Sequence, residues 1–342
     1  MGLLKTLNVG HNAWADNYGP PNLGTIGVRA SSFEQSLQLA RVHSFDAVNL
    51  HSEALLYHSP AEIRSMLEAH GQRPGAFCLP FRLTDECNEK QFEDDLETFT
   101  ENAPRFAAAG YRVCAHHLLP WSQPPIGGGD ALPFHAHFRL VARRLARIVP
   151  VLEAHGLRAG LEPIGAFGLR RVQERDFVHT IEGVRSLIAA AGAEGCVGLK
   201  LDAFHWWASG CGLDELVKLD ASEIVYVELS DGVEPAGRWN RLSVPELHRE
   251  LPGVSGNLID TPGVLATLSH IGFDGHVVAE PYSRRLQQLS TNEAVAQVSA
   301  SLDNVLEQAQ RVKLPPELIG THPYLDEPPG LVKPLNGCKQ KS

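Results

Sequence analysis

CVGLKLDAF, residues 196–204, is an apolar run that stops at an acid, Asp202, with His205 close behind it. A short apolar run of this kind reads as a strand. Seven other runs share its character: KTLNVG (5–10), FDAVNL (45–50), GAFCLPF (75–81), YRVCAHHL (111–118), LRAGLEPI (157–164), EIVYVELS (223–230) and HVVAEPY (276–282). Helical patterns fill the intervals at 32–43, 60–71, 88–109, 134–155, 176–192, 213–219, 261–271 and 291–312. In FRLVARRLARIVPVLEAHG, Leu140, Val141, Leu145, Ile148 and Leu152 recur near the 3.6-residue period and Gly156 closes the run, while Pro150 should kink the helix or end it. Strands alternating with helices call for parallel pairing through right-handed crossovers, and closing the sheet satisfies both of its edges. The expectation is a single (β/α)8 TIM barrel over residues 1–313, with the proline-rich stretch 314–342 as a C-terminal extension and not a separate domain. An open doubly wound sheet would place a glycine-rich phosphate loop after its first strand; VGHNAWADNYG (9–19) lacks the G-x-G-x-x-G spacing, and IGGGD (126–130) follows no strand.

Composition narrows the function classes. A chain of 342 residues, 43% hydrophobic and 20% charged, can bury a large core without staples. Its six cysteines form no C-x-x-C pair, which sets aside zinc-ribbon and thioredoxin readings and favours a reducing, cytoplasmic home. No run is long enough to span a membrane, and MGLLKT at the N-terminus is too weak a myristoylation match to use. A formal net charge of −10 opposes a phosphate backbone, so neither nucleic acid nor membrane is expected as a partner. The sequence leaves open whether copies of the chain form a homo-oligomer.

In a TIM barrel the active site sits at the C-terminal ends of the strands. The polar residues there are His11, His51 with Glu53, His116 with His117 and Trp121, Glu162, Asp202 with His205, Glu228 with Asp231, and Glu280. Carboxylates thus end strands five to eight at nearly one depth. Unpaired buried carboxylates either hold a proton or need a cation, and a divalent metal is the economical solution. Trp206 and Trp207 read more naturally as core than as a ligand platform. Of His116 and His117, one is expected to point between barrel and helices as packing.

GLEPIG, VGLKLDAFH, IVYVELSDG, RELPGVSGNLID and GFDGHVVAEPY resemble the strand ends of the xylose-isomerase-like barrels, the sugar phosphate isomerase/epimerase and endonuclease-IV-type superfamily. The resemblance covers roughly residues 5–310 and is strongest over 157–282. It implies that Glu162, Asp202 and Glu280 are metal ligands, that His205 and Arg249 contact substrate, and that Glu162 and Glu280 also shuttle the proton. His117, His51 and Trp121 are further candidates for substrate contact. Two positions depart from the family pattern. Strand seven commonly carries a His or Gln ligand, and here it carries Glu228; an all-oxygen site would favour Mn²⁺ or Mg²⁺ over Zn²⁺. Ketohexose epimerases carry a further Glu six residues after the strand-five ligand, where this chain has Gly168, so a standard ketohexose 3-epimerase is not expected.

A metal bound by these carboxylates can chelate adjacent carbonyl and hydroxyl oxygens of a keto-sugar and lower the cost of an enediolate, while a Glu takes and returns the proton. Reprotonation gives isomerisation or epimerisation of a keto-sugar or related polyol. Loss of a β-leaving group gives a lyase or dehydratase acting on a keto-sugar, inosose or 3-keto-glycoside. The Trp and His residues near the mouth point towards a larger or glycosylated carbohydrate. A reading of another class, a non-catalytic barrel subunit, draws on the Glu at 228. The DNA-cutting branch needs additional zinc-binding histidines that ELSDGVEPAGRWN does not supply.

Overall fold

The apolar runs become eight parallel strands that close into a barrel in sequence order, the eighth pairing with the first. The structure is a computed structural model and describes residues 2–8, 32–50, 54–79, 83, 89–122, 130–170, 175–232, 249–253, 258–283 and 285–319. The barrel strands are Leu4–Leu7, Ala47–Leu50, Arg73–Cys78, Val113–Leu118, Arg158–Pro163, Val197–Asp202, Ile224–Leu229 and His276–Ala279. The principal helices between and after them are Phe33–Val42, Pro60–His70, Glu89–Ala108, Phe134–His155, Ile181–Ala191, Thr261–His270 and Thr291–Arg311. The single barrel expected from the alternation is therefore the fold. Residues 320–342 of the expected extension lie outside the described residues; the part before them includes a short helix, Pro316–Ile319.

Strand alternation sorts the side chains into two compartments. Leu161, Leu199, Leu201 and Val227 face outwards and join one apolar cluster with Val141, Leu145, Val184 and Leu187 of the surrounding helices. Inside the barrel a small separate cluster of Ala76, Tyr226 and Val278, flanked by Val113 and Ala115, forms the floor. Asn49 ties this floor together, donating to the Tyr226 hydroxyl (2.6 Å) and accepting from the Ala76 N–H (2.8 Å). One inward step further along the strands stand Glu162, Asp202, Glu228 and Glu280.

Three local outcomes differ from the sequence reading. Pro150 neither ends nor interrupts the helix Phe134–His155; it lies exposed in its last turns, where the carbonyl it leaves without an N–H partner can bond to water. The helix expected over 176–192 begins only at Ile181, because the Thr180 side chain caps it by accepting from Gly183 N–H. The segment before it pairs instead with the exit of strand four, through Phe177 N–H to Pro120 C=O (2.8 Å) and Ser122 N–H to Arg175 C=O (3.0 Å). The strand expected over 196–204 stops at Asp202, whose carboxylate accepts from the Phe204 (2.6 Å) and His205 (3.0 Å) N–H groups and starts a helix, Ala203–Ala208.

Candidate active site

Register alone brings the acids together. Asp202 lies directly beside Glu228 on the neighbouring strand, and His117 beside Glu162. Glu280 follows the last strand, and its N–H donates to Leu229 C=O (2.8 Å), which holds it against strand seven. Each of Glu162, Asp202, Glu228 and Glu280 offers an oxygen within 4.8 Å of the others, and all four are buried. Cys78 and His117, on strands three and four, are exposed.

Two cations of the chain enter the cluster. Lys200 stands two residues before Asp202 on the same inward face, and its Nζ lies 2.8 Å from Glu162 Oε2 and 2.7 Å from Glu228 Oε2. Arg249 donates from Nη1 to Asp202 Oδ2 (2.7 Å) and Glu280 Oε2 (3.0 Å), and its Nη2 lies 2.9 Å from His205 Nε2. A guanidinium can only donate, so His205 Nε2 accepts and the imidazole proton sits on Nδ1. The Arg249 guanidinium is itself held between the rings of Phe204 (4.3 Å) and Tyr282 (5.0 Å). It is delivered by a two-stranded ribbon, Asp231–Gly232 with Arg249–Glu250. Asp231 anchors that ribbon by accepting from Leu258 N–H (3.0 Å) and Ile259 N–H (3.1 Å), while Glu250 accepts from Ser283 and Arg285 of the loop after strand eight.

Four carboxylates against two cations leave two excess negative charges in a buried space. The protonation of the metal-free chain reflects it. Burial pushes the Glu162 carboxyl up to about 8 against the pull of Lys200, with Glu228 and Asp202 adding to the rise. Burial and then Glu228 hold Glu280 well above the usual range, and burial also raises Glu228. At Asp202 burial acts upwards, but the Arg249 guanidinium, the helix-start N–H groups and Lys200 outweigh it and hold the carboxyl well below the usual range. The cluster therefore needs either protons or added positive charge. An all-carboxylate donor set with two charges in excess fits one divalent cation.

The structure thus brings Glu162, Asp202, Glu228, Glu280, His205 and Arg249 into one constellation and sets His117 beside Glu162. Trp121 lies apart in an isolated bridge with Asp176, making no hydrogen bond to the cluster among the described residues. His51, with His11 and Glu53, lies outside the described residues. His116 is the member of its pair that is buried, near Leu83 N–H (3.4 Å). Trp206 and Trp207 are core residues, which removes them as support for a large substrate. Lys200 is the residue that the sequence reading missed; a lone lysine inside an otherwise apolar strand, two positions before the acid, was the available signal.

The family model of the xylose isomerase-like TIM barrel matches residues 37–306. The chain belongs to this family. Over 152 residues it is 27% identical to the inosose isomerase of Halalkalibacterium halodurans, a match covering 44% of this chain and 49% of that protein, so the chain spans about half the length of that relative. Among solved structures, a xylose isomerase domain protein from Alicyclobacillus acidocaldarius superposes with a TM-score of 0.73 at 23% identity, covering 90% of this chain and 99% of the other. The IolI protein, whose structure has a zinc atom, gives a TM-score of 0.66 at 20% identity over 82% and 94% of the two chains. The 3-keto-D-glucoside 4-epimerase of E. coli gives 0.61 at 16% identity over 90% and 99%. At these identities the structural likenesses establish the shared fold.

Proposed function

We propose that this barrel is a divalent-metal-dependent isomerase or epimerase acting on a keto-sugar or related polyol by removing a proton next to the carbonyl. The observation that carries the reading is the buried cluster of four carboxylates, in which Glu162 is pushed up to about 8 and Glu280 is also held well above the usual carboxylate range. The inosose isomerase and the keto-glucoside epimerase among the similar proteins support the substrate class.

Glu162, Asp202, Glu228 and Glu280 would hold the cation. When bound, it supplies positive charge that lowers the cost of negative charge developing on neighbouring sugar oxygens. The oxygen-only donor set favours Mn²⁺ or Mg²⁺, in contrast to the zinc of the IolI structure. Glu162 and Glu280 move the proton: one carboxylate takes it from the carbon beside the carbonyl, leaving an enediolate, and the proton is returned to that carbon or its neighbour. Arg249, fixed by Phe204 and Tyr282, holds the Glu280 carboxylate and faces His205. His205 then presents a neutral imidazole 3.8 Å from Glu162.

The test is a product assay on keto-sugars, inosose and 3-keto-glycosides in deuterium oxide with Mn²⁺ present. Deuterium entering the carbon beside the carbonyl, with a sugar isomer or epimer as product, is the expected result. Loss of water from the substrate would move the reading to the lyase that shares the same first step. A protein that binds no metal and exchanges no deuterium on the whole panel would leave the barrel as a binding subunit.

A further inference from the structure

Lys200 is not needed to take or return a proton in the chemistry above, yet its ammonium stands at the centre of the cluster. It is buried, it bridges Glu162 and Glu228 at 2.8 and 2.7 Å, and it rises from the barrel floor on the strand that ends in Asp202. Burying an ammonium is costly unless its partners are fixed, and removing one partner of such a pair is worse than removing both. Its other neighbours explain its placement. Asp202 and Glu280 already share the Arg249 guanidinium, so Glu162 and Glu228 are the acids that depend on Lys200, and Glu228 is the nearer of the two. Without Lys200 the cluster would hold three excess negative charges, too many for one divalent ion.

We propose that Lys200 and Glu228 form one internally balanced unit, in which Lys200 is a positioning residue that neutralises Glu228 and fixes it as an oxygen donor, so that the cluster takes a single divalent ion. The inference rests on the metal-binding reading of the site. It predicts a coupling that neither residue would show if its role were only structural: Lys200 should harm metal binding once Glu228 loses its charge, and its removal should then repair the damage.

The experiment is a double-substitution cycle read by calorimetric titration of metal-stripped protein with Mn²⁺, with melting curves as a check on folding. The parent should bind one Mn²⁺ per chain. E228Q, which leaves the cluster one excess negative charge in place of two and the ammonium competing with the ion for Glu162, should bind more weakly by at least about tenfold. K200M/E228Q should return to within about threefold of the parent. E228Q binding as tightly as the parent, or the double variant binding no more tightly than E228Q, would overturn the proposal. A parent that takes up no Mn²⁺ brings down the metal-binding reading itself, a result distinct from a binding parent whose two substitutions act additively. Should K200M/E228Q not fold, K200Q/E228Q takes its place; failure of both to fold also overturns the proposal, because a balanced pair should be removable as a pair.

Discussion

At Glu280, burial and the neighbouring Glu228 act against Lys200 and Arg249, and the outcome is a carboxyl held well above the usual carboxylate range in the metal-free chain. Glu280→Gln keeps the volume and an oxygen for Arg249 to donate to, so the melting temperature should change little, while turnover on an active keto-sugar should fall by ~10²–10⁴-fold, as expected when a general base is lost. Near-parental turnover, measured as solvent deuterium exchange, would remove Glu280 from the proton-transfer role. Glu162 makes a second prediction. Its carboxyl, pushed up to about 8 by burial, must lose its proton for the metal to bind, so Mn²⁺ affinity should rise as pH climbs from 6 to 8 and protons should be released on binding. Titrations in buffers of different ionisation enthalpy count those protons; a pH-independent affinity with none released contradicts the assignment. The acids themselves were legible in the sequence because strand ends are easily located. Arg249 could be named only through the family resemblance, since its place beside Asp202 depends on a ribbon and a loop far along the chain, and Lys200 was hidden because its reach to two strands is a tertiary fact.

The junction of strand six with the helix Ala203–Ala208 does two jobs with one side chain. One Asp202 oxygen starts the helix and the other receives Arg249, so strand end, helix start and site are one structural event. The fifth strand's exit must pass this helix closely. A Cβ on Gly165 would fall 2.1 Å from the His205 carbonyl oxygen, far inside contact distance. Gly165→Ala should therefore push the helix and His205 away, lowering stability by about 1–3 kcal/mol in urea unfolding and weakening catalysis further. An unchanged unfolding midpoint would show that the helix is not held there. The sequence misread this junction by carrying the strand on to 204, because Ala203 and Phe204 continue the apolar run and hide the helix-start signal that Asp202 itself offers. At Pro150 the reverse holds: a strong local signal that, of the end or kink expected there, brings no end to the helix, at an exposed position late in its length.

Across the whole barrel, histidines that are buried (His137) or half-buried (His276) and the buried acids set opposite pH trends. Burial lowers His137 and His276 to about 4, with the nearby Arg144 and Arg73 assisting. Their stabilising contribution is present above pH ~6.5 and is lost as the pH falls towards 4, by about 3 kcal/mol each at most. Glu162 acts in the other sense in the metal-free protein: the unfolded chain gives up this proton near its ordinary value and the folded chain only near 8, so stability falls as pH rises between them. The two losses overlap between about pH 4.5 and 6.5, where two histidines outweigh one carboxyl, so these groups place the greatest stability of metal-free protein near pH ~6.5. Adding Mn²⁺ should restore stability on the alkaline side only, which urea unfolding at pH 4.5, 6.5 and 8.5 would reveal. At this scale the sequence was most informative, since eight strand–helix alternations leave few alternatives to closure, and all eight strands appear where the apolar runs lie. The central claim is that the four acids hold one divalent ion, and Asp202 tests it with the fold kept intact. Asp202→Asn retains an oxygen to start the helix but removes the charge from the cluster. The decisive measurement is the melting temperature of metal-stripped parent and variant at pH 8 with and without Mn²⁺. The account predicts a rise in the parent, as mass action gives about 2.7 kcal/mol at a hundredfold excess over Kd, and little or none in the variant; a parent that does not respond, or a variant that responds equally, would contradict it.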